Sequence, residues 1–173
     1  MRVDDLLSLD AGMRRDATLP EMDPLTEEDA LQEAQLLDVR LDAKAGVVGV
    51  LFELRTALQL REGNAGVLVA SGLRDLVWER PRRDTTLTAW SVVSSVPRSR
   101  DGLFGLSLWF WPDARLRLTS EAAAFFVGQV PGLPEAPPDY HDRSLKEVAN
   151  EVPQWGSTFV PLSAVYFDAD ATM

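Results

Sequence analysis

The sequence predicts an α+β fold that is mainly β: an antiparallel meander forming a sandwich or half-open barrel, with an N-terminal helix and a short helix near the C-terminus. Three observations carry this expectation. Residues 36–60 alternate between apolar and polar side chains on both sides of a Gly-containing break, the pattern of a β-hairpin with one buried face. Residues 64–130 fall into short apolar runs rich in β-branched and aromatic residues, separated by turns of Gly, Asn, Pro and Arg. Helical periodicity is confined to two short stretches, 26–35 and 145–150.

Residues 1–25 read as an acidic arm. Val3, Leu6, Leu7 and Leu9 suit a short helical turn or a packed arm, and Pro20 and Pro24 break any longer element. A helix is expected over 26–35. Thr26 caps it, Asp29 takes the acidic capping-box place, and Glu27 and Glu28 suit the positive end of the dipole. Ala30, Leu31, Ala34 and Leu37 make its apolar stripe. In the hairpin, Leu37, Val39 and Leu41 stand against Asp38, Arg40 and Asp42. After the Ala43-Lys44-Ala45-Gly46 break, Val48, Val50, Phe52 and Leu54 alternate with Val47, Gly49, Leu51 and Glu53.

The meander spans 36–130. Gly63 and Asn64 tolerate positive φ and turn the chain into a strand at Ala65; Gly72 interrupts as a bulge, and Leu73 to Trp78 resumes. The loop through Glu79, Arg80, Pro81, Arg82, Arg83 and Asp84 is charged. A strand is expected from Thr86 to Val96, then a long turn over residues 97–102, then a strand from Leu103 to Trp111. Pro112 and Asp113 turn the chain, and Arg115 to Thr119 continues it. The run AAAFFVGQV over 122–130 is helical by its alanines but strand-like by Phe125, Phe126, Val127 and Val130, and a strand is preferred. Residues 131–157 hold a Pro-rich loop and a short helix capped by Ser144, with Trp155 as its anchor. Residues 158–168 form the last strand, placed at an edge by Pro161. The 173 residues have the length of one domain.

Charge is uneven. The chain carries a formal −10. By our tally residues 1–35 carry three basic and ten acidic groups, residues 36–118 twelve and nine, and residues 119–173 two and eight. An acidic whole speaks against nucleic acid, whose phosphates are bound by Lys and Arg. It suits a basic protein partner, steered electrostatically. Cysteine is absent, which removes disulfides, thiol catalysis and zinc-thiolate or iron–sulfur sites. No stretch has the apolar length of a membrane helix or a secretory signal, and the expected location is the cytoplasm.

Catalytic constellations are missing. The single histidine, His141, excludes HExxH and any histidine metal cluster, and no P-loop, G-x-G-x-x-G or G-x-S-x-G occurs. Asp38 and Asp42 share one strand face but stand about 13 Å apart by strand rise, too far to act as a glycosidase pair. Glu53 has Arg55 beside it on the same face, the arrangement of a structural ion pair. No catalytic residue, metal site or cofactor is expected. The candidate binding face is aromatic and cationic: Trp109 and Trp111, with Arg115 and Arg117 across the turn. Trp and Arg dominate binding hot spots, and Arg stacks on Trp. The alternative is that both tryptophans fill a second core layer.

The order of features resembles that of the small β-rich immunity proteins of bacterial polymorphic toxin systems and related uncharacterised actinobacterial proteins. The residues concerned are L-x-D-x-x-L-D over 36–42, L-F-E-L-R over 51–55, and N-x-x-V-L-V-x-x-G-L-x-x-L-x-W over 64–78. The resemblance implies a non-enzymatic protein that binds and neutralises a toxin, and it assigns no binding residue. The expected function is therefore a non-catalytic protein-binding module, an immunity-type inhibitor or an accessory component of a larger assembly. A small-ligand-binding or enzymatic half-open barrel, with Glu53, Trp90 or Tyr166 pointing inside, and a self-assembling structural subunit are the alternatives.

Overall fold

The hairpin that organises the chain forms as the alternation requires. Strand β1 (Gln35–Asp42) pairs antiparallel with β2 (Val47–Glu53) around Gly46, whose φ is +65°. Asp42 closes the turn by accepting from the backbone N–H groups of Lys44 and Ala45, both at 3.0 Å. The structure, a computed structural model, describes residues 1–8, 17–81 and 86–169. Leu9 of the arm and Arg82, Arg83 and Asp84 of the charged loop lie outside the described residues.

Five further strands follow: β3 (Ala65–Glu79), β4 (Trp90–Arg100), β5 (Leu103–Trp111), β6 (Ala114–Gln129) and β7 (Val160–Asp168). All pair antiparallel in one seven-stranded sheet, in the order β3-β2-β1-β4-β5-β6-β7, with β3 also pairing β6. The long strands β3 and β6 fold this sheet. Their first and second halves take different neighbours, so β6 pairs with β5 over residues 114–120 and with β7 over 122–129. The ends nearly meet: β1 touches β4 at two residue pairs, Gln35 with Ser91 and Leu36 with Trp90. A two-pair contact is not a full ladder, so the barrel is half-open rather than closed. Its interior is filled by Val48, Val50, Phe52, Leu68, Phe104, Leu108, Leu116 and Phe125, all buried.

A second core lies on the other face of β2, β3, β6 and β7. Leu51, Val67, Phe126 and Ala164 are covered there by Val3 and Leu6 of a 3-10 helix (Val3–Ser8) and by Trp155 and Phe159. Backbone bonds hold the cover in place, Val3 N–H to Ser157 O at 3.0 Å and Phe159 N–H to Met1 O at 2.9 Å. The short helix α1 (Leu145–Val148) starts with the capping box Ser144/Glu147. Pro161 sits near the start of β7, which has β6 as its strand partner and on its other side meets an isolated bridge from Thr18 to Ser163, the edge position a proline suits.

Three local expectations are corrected. Residues 26–35 are not a helix but a chain of turns leading into β1, and the N-terminal helical element is Val3–Ser8. Asp29 and Glu33 have φ of 60° and 64°, which no α-helix accommodates. Their backbone serves the free edge of β4 instead: Asp29 N–H bonds Ser95 O at 2.8 Å and Glu33 N–H bonds Val92 O at 2.9 Å. The Asp29 carboxylate accepts from Ser95 N–H and from the Ser94 hydroxyl. Tertiary pairing thus outweighs local helix propensity. Residues 97–100 belong to β4, and the turn is Asp101-Gly102 alone, with φ of 54° and 74°, a two-residue hairpin turn. Finally, a bulge at Leu37 splits the alternation of β1. Leu37 packs at the rim of the second core, while Val39 packs against the first.

Candidate functional site

Strand β5 presents two opposite faces. Phe104, Leu106, Leu108 and Phe110 point into the half-barrel and are buried. Trp109 and Trp111 point outward and keep 39% and 69% of their surface exposed. The second-layer alternative therefore does not describe these two side chains. The cover that buries Leu51, Val67 and Phe126 lies over the other half of the sheet.

Register places the rest of this face. Trp109 pairs with Ser94 of β4 on one side and with Arg115 of β6 on the other. Arg115 pairs in turn with Glu79 of β3, and their side chains form an ion pair at 2.8 Å. One row across the sheet therefore reads Ser94, Trp109, Arg115, Glu79. The next reads Val96, Ser107, Arg117, Val77. The Arg117 guanidinium stands 3.5 Å from Asp75, one step further along β3. The structure thus brings all four sequence-predicted residues to one exposed face, with the arginines tethered laterally by carboxylates. Such exposed pairs add about 0–1 kcal/mol to stability; here they draw the two guanidinium groups toward β3, with Arg115 in register with Trp109.

A cleft of about 630 Å³ lies elsewhere, between β1, Arg80, residues 86–90 and the segment around α1. Its walls include Asp38, Arg40, Trp90, Tyr140 and Trp155. The Trp155 indole donates to the Asp38 carboxylate at 2.7 Å, and the Arg40 guanidinium sits 4.9 Å over the Trp155 ring. Burial pushes the Tyr140 phenol up from its ordinary value, and the nearby Glu53 carboxylate adds to that, against the opposing effect of Arg55. Sequence reasoning identified Trp155 as an anchor but found no sign of the cleft, whose walls come from segments far apart in the chain.

Glu53 and Arg55 form the expected ion pair, at 2.5 Å, with Glu53 fully buried. Arg55 also donates to the carbonyls of Pro134, Ala136 and Glu151 at 2.6, 3.1 and 2.6 Å. All its donors go to structure, which makes the pair a staple for the Pro-rich segment rather than an acid/base device. Tyr166 packs on Phe126 in the second core, and Trp90 packs edge-on to Trp78 at 5.7 Å. His141 is exposed beside Asp142, and no cluster of metal-ligating side chains occurs among the described residues. Nor is any helix among them long and apolar enough to cross a membrane.

No family model and no curated protein matches the chain. Among solved structures, it is similar to an uncharacterized protein from Neisseria gonorrhoeae at 10% identity and a TM-score of 0.43, over 57% of this chain and 94% of that one.

Proposed function

We propose that this chain is a non-catalytic protein-binding module that docks its partner on the outer face of β4, β5 and β6. One observation supports this above the others: two tryptophans stand exposed on one face of a rigid strand, Trp109 directly opposite the tethered Arg115. Large aromatics held out of both cores cost solvation without adding to the fold, and Trp and Arg are the residues that most often anchor interfaces. An immunity-type inhibitor, as the resemblance in residues 36–55 and 64–78 implies, or an accessory component of an assembly would use such a face. The acidic ends would steer a partner carrying basic groups elsewhere on its surface.

The test is site-directed photo-crosslinking from two positions, Ser107 within the face and Leu162 on β7, in the native host. The reading expects one protein cross-linked from position 107 and not from 162, and loss of that product in the Trp109→Ala/Trp111→Ala variant. Equal cross-linking from both positions would remove the face from consideration. A second reading, a small-ligand binder, is favoured by the cleft beside Trp155 and not by the filled interior. It expects ligand-dependent protection of the Tyr140 and Trp155 region in hydrogen exchange.

A further inference from the structure

Five glycines lie within strands: Gly49, Gly66, Gly72, Gly105 and Gly128. A glycine in a strand weakens it and generally marks a bulge or a close approach. Four have such a reason. A Cβ on Gly49 would lie 2.4 Å from Leu7, on Gly66 2.8 Å from Phe125, and on Gly128 2.3 Å from Phe159, while Gly72 has a φ of +62°. Gly105 has neither. The nearest atoms to its Cβ would be Leu118 O at 3.8 Å and Arg98 O at 3.9 Å, ordinary contact distances. The fold has no need of a glycine there.

Gly105 lies in a depression of about 280 Å³ on the outer face, walled by Arg98, Arg100, Asp101, Ser107, Arg117 and Thr119. It pairs with Arg98 on one side and Thr119 on the other, so the missing side chain opens a gap between a guanidinium and a hydroxyl. Arg100 leans on the exposed Asp101 and Arg117 on Asp75, whereas Arg98 has no carboxylate partner among the described residues. Arg98 and Arg100 alternate on one face about 7 Å apart, the spacing of alternate side chains along an extended segment. The depression adjoins Ser107 and, beyond it, Trp109.

We propose that this depression receives carboxylate side chains of an acidic, extended segment of the protein partner, with Gly105 as the opening and Arg98 as the principal cation. The proposal rests on the docking face described above and names the chemistry of what docks. A carboxylate fits because Arg98 has no carboxylate partner among the described residues and because Ser107 and Thr119 add hydroxyl donors. Single-stranded nucleic acid fits less well, since the residues lining the depression include no aromatic ring on which a base could stack.

The experiment is an amide ¹⁵N–¹H titration of the full chain at low ionic strength with three probes: hexaglutamate, hexalysine and hexathymidylate. Hexaglutamate should shift the amides of residues 103–107 and Thr119, with an affinity that falls as salt is added; hexalysine should leave them unmoved. Gly105→Val, which fills the opening, and Arg98→Ala should each weaken hexaglutamate by about tenfold or more, with urea midpoints no lower than that of the parent. Shifts of equal size in both variants, or none in the parent, would overturn the proposal while leaving the docking face to its own cross-linking result. Tighter binding of hexathymidylate at the same amides would overturn it in favour of a nucleic-acid ligand. Failure of the cross-linking from Ser107 together with retained hexaglutamate binding would leave the anion site standing and remove the protein interface.

Discussion

The indole N–H of Trp155 reaches across 117 positions of sequence to the carboxylate of Asp38, at 2.7 Å. This contact seats the segment after α1 on the outer face of β1, and with Phe159 it closes the second core. Because Trp155 is nearly buried, Trp155→Ala should cost about 3–5 kcal/mol. Asp38→Ala, which leaves the indole donor unpaired, should cost about 1–3 kcal/mol. Urea denaturation of both variants checks the order.

Glu53 and Arg55 give a second stability prediction. Arg55→Met leaves a buried carboxylate without its cation and should cost about 3–5 kcal/mol. The double variant Glu53→Leu/Arg55→Met should recover much of that loss, because the unpaired charge is gone. Hydrogen exchange of residues 133–152 should rise in both, since Arg55 also carries the carbonyls of Pro134, Ala136 and Glu151.

The two glycines Gly49 and Gly105 should respond in opposite ways. Gly49→Ala forces a methyl into Leu7 and Trp155 and should destabilise by about 1–3 kcal/mol. Gly105→Ala meets no close neighbour and should be neutral or stabilising by about 0.5–1 kcal/mol. Thermal melts of the two single variants decide this.

Acid should loosen the α1 segment. Glu147 is held below the usual carboxylate range chiefly by the hydrogen bonds from Ser144, and Glu151 chiefly by its hydrogen bond from Arg143. Both are lowered from 4.5, so each favours the folded segment at neutral pH. That contribution declines as pH falls below 4.5 and through the lower folded-state values. Tyr140 works at the other end: its raised phenol favours the fold below its ordinary 10.0 and ceases to do so as pH climbs beyond it. The Trp155 indole N–H resonance, followed from acid to alkali, reports both limbs. A resonance unchanged down to pH 2 would show that the cap and the Arg143 pair contribute nothing measurable.

Much of this fold was legible because its period-two signals were strong. The β2 set Val48, Val50 and Phe52 and the β5 set Phe104, Leu106, Leu108 and Phe110 needed no tertiary information. The Ser144 cap and the edge proline Pro161 were read from local chemistry alone. The helix expected over 26–35 failed because Asp29 and Glu33 found backbone partners on β4, a competitor no local pattern displays. The hairpin turn at Asp101-Gly102 did carry a readable signal, an Asp-Gly pair, which Pro97 obscured by suggesting a longer loop. The Leu37 bulge has no glycine to mark it. At the proposed docking face, alternation alone put Trp109 and Trp111 together and placed Arg115 and Arg117 on the neighbouring strand of the same face. Their exposure was not legible, since it depends on which half of the sheet the N-terminal arm and Trp155 cover.

The exposed tryptophans carry the account, and the binding constant of the protein cross-linked from Ser107 measures them most directly. Isothermal titration of that partner should show Trp109→Ala/Trp111→Ala weakened by about thirtyfold or more, the scale of a hot spot, with the circular dichroism and urea midpoint of the parent retained. Affinity should also fall as salt rises. Unchanged affinity in a folded double variant would contradict the claim that this face is where the protein binds.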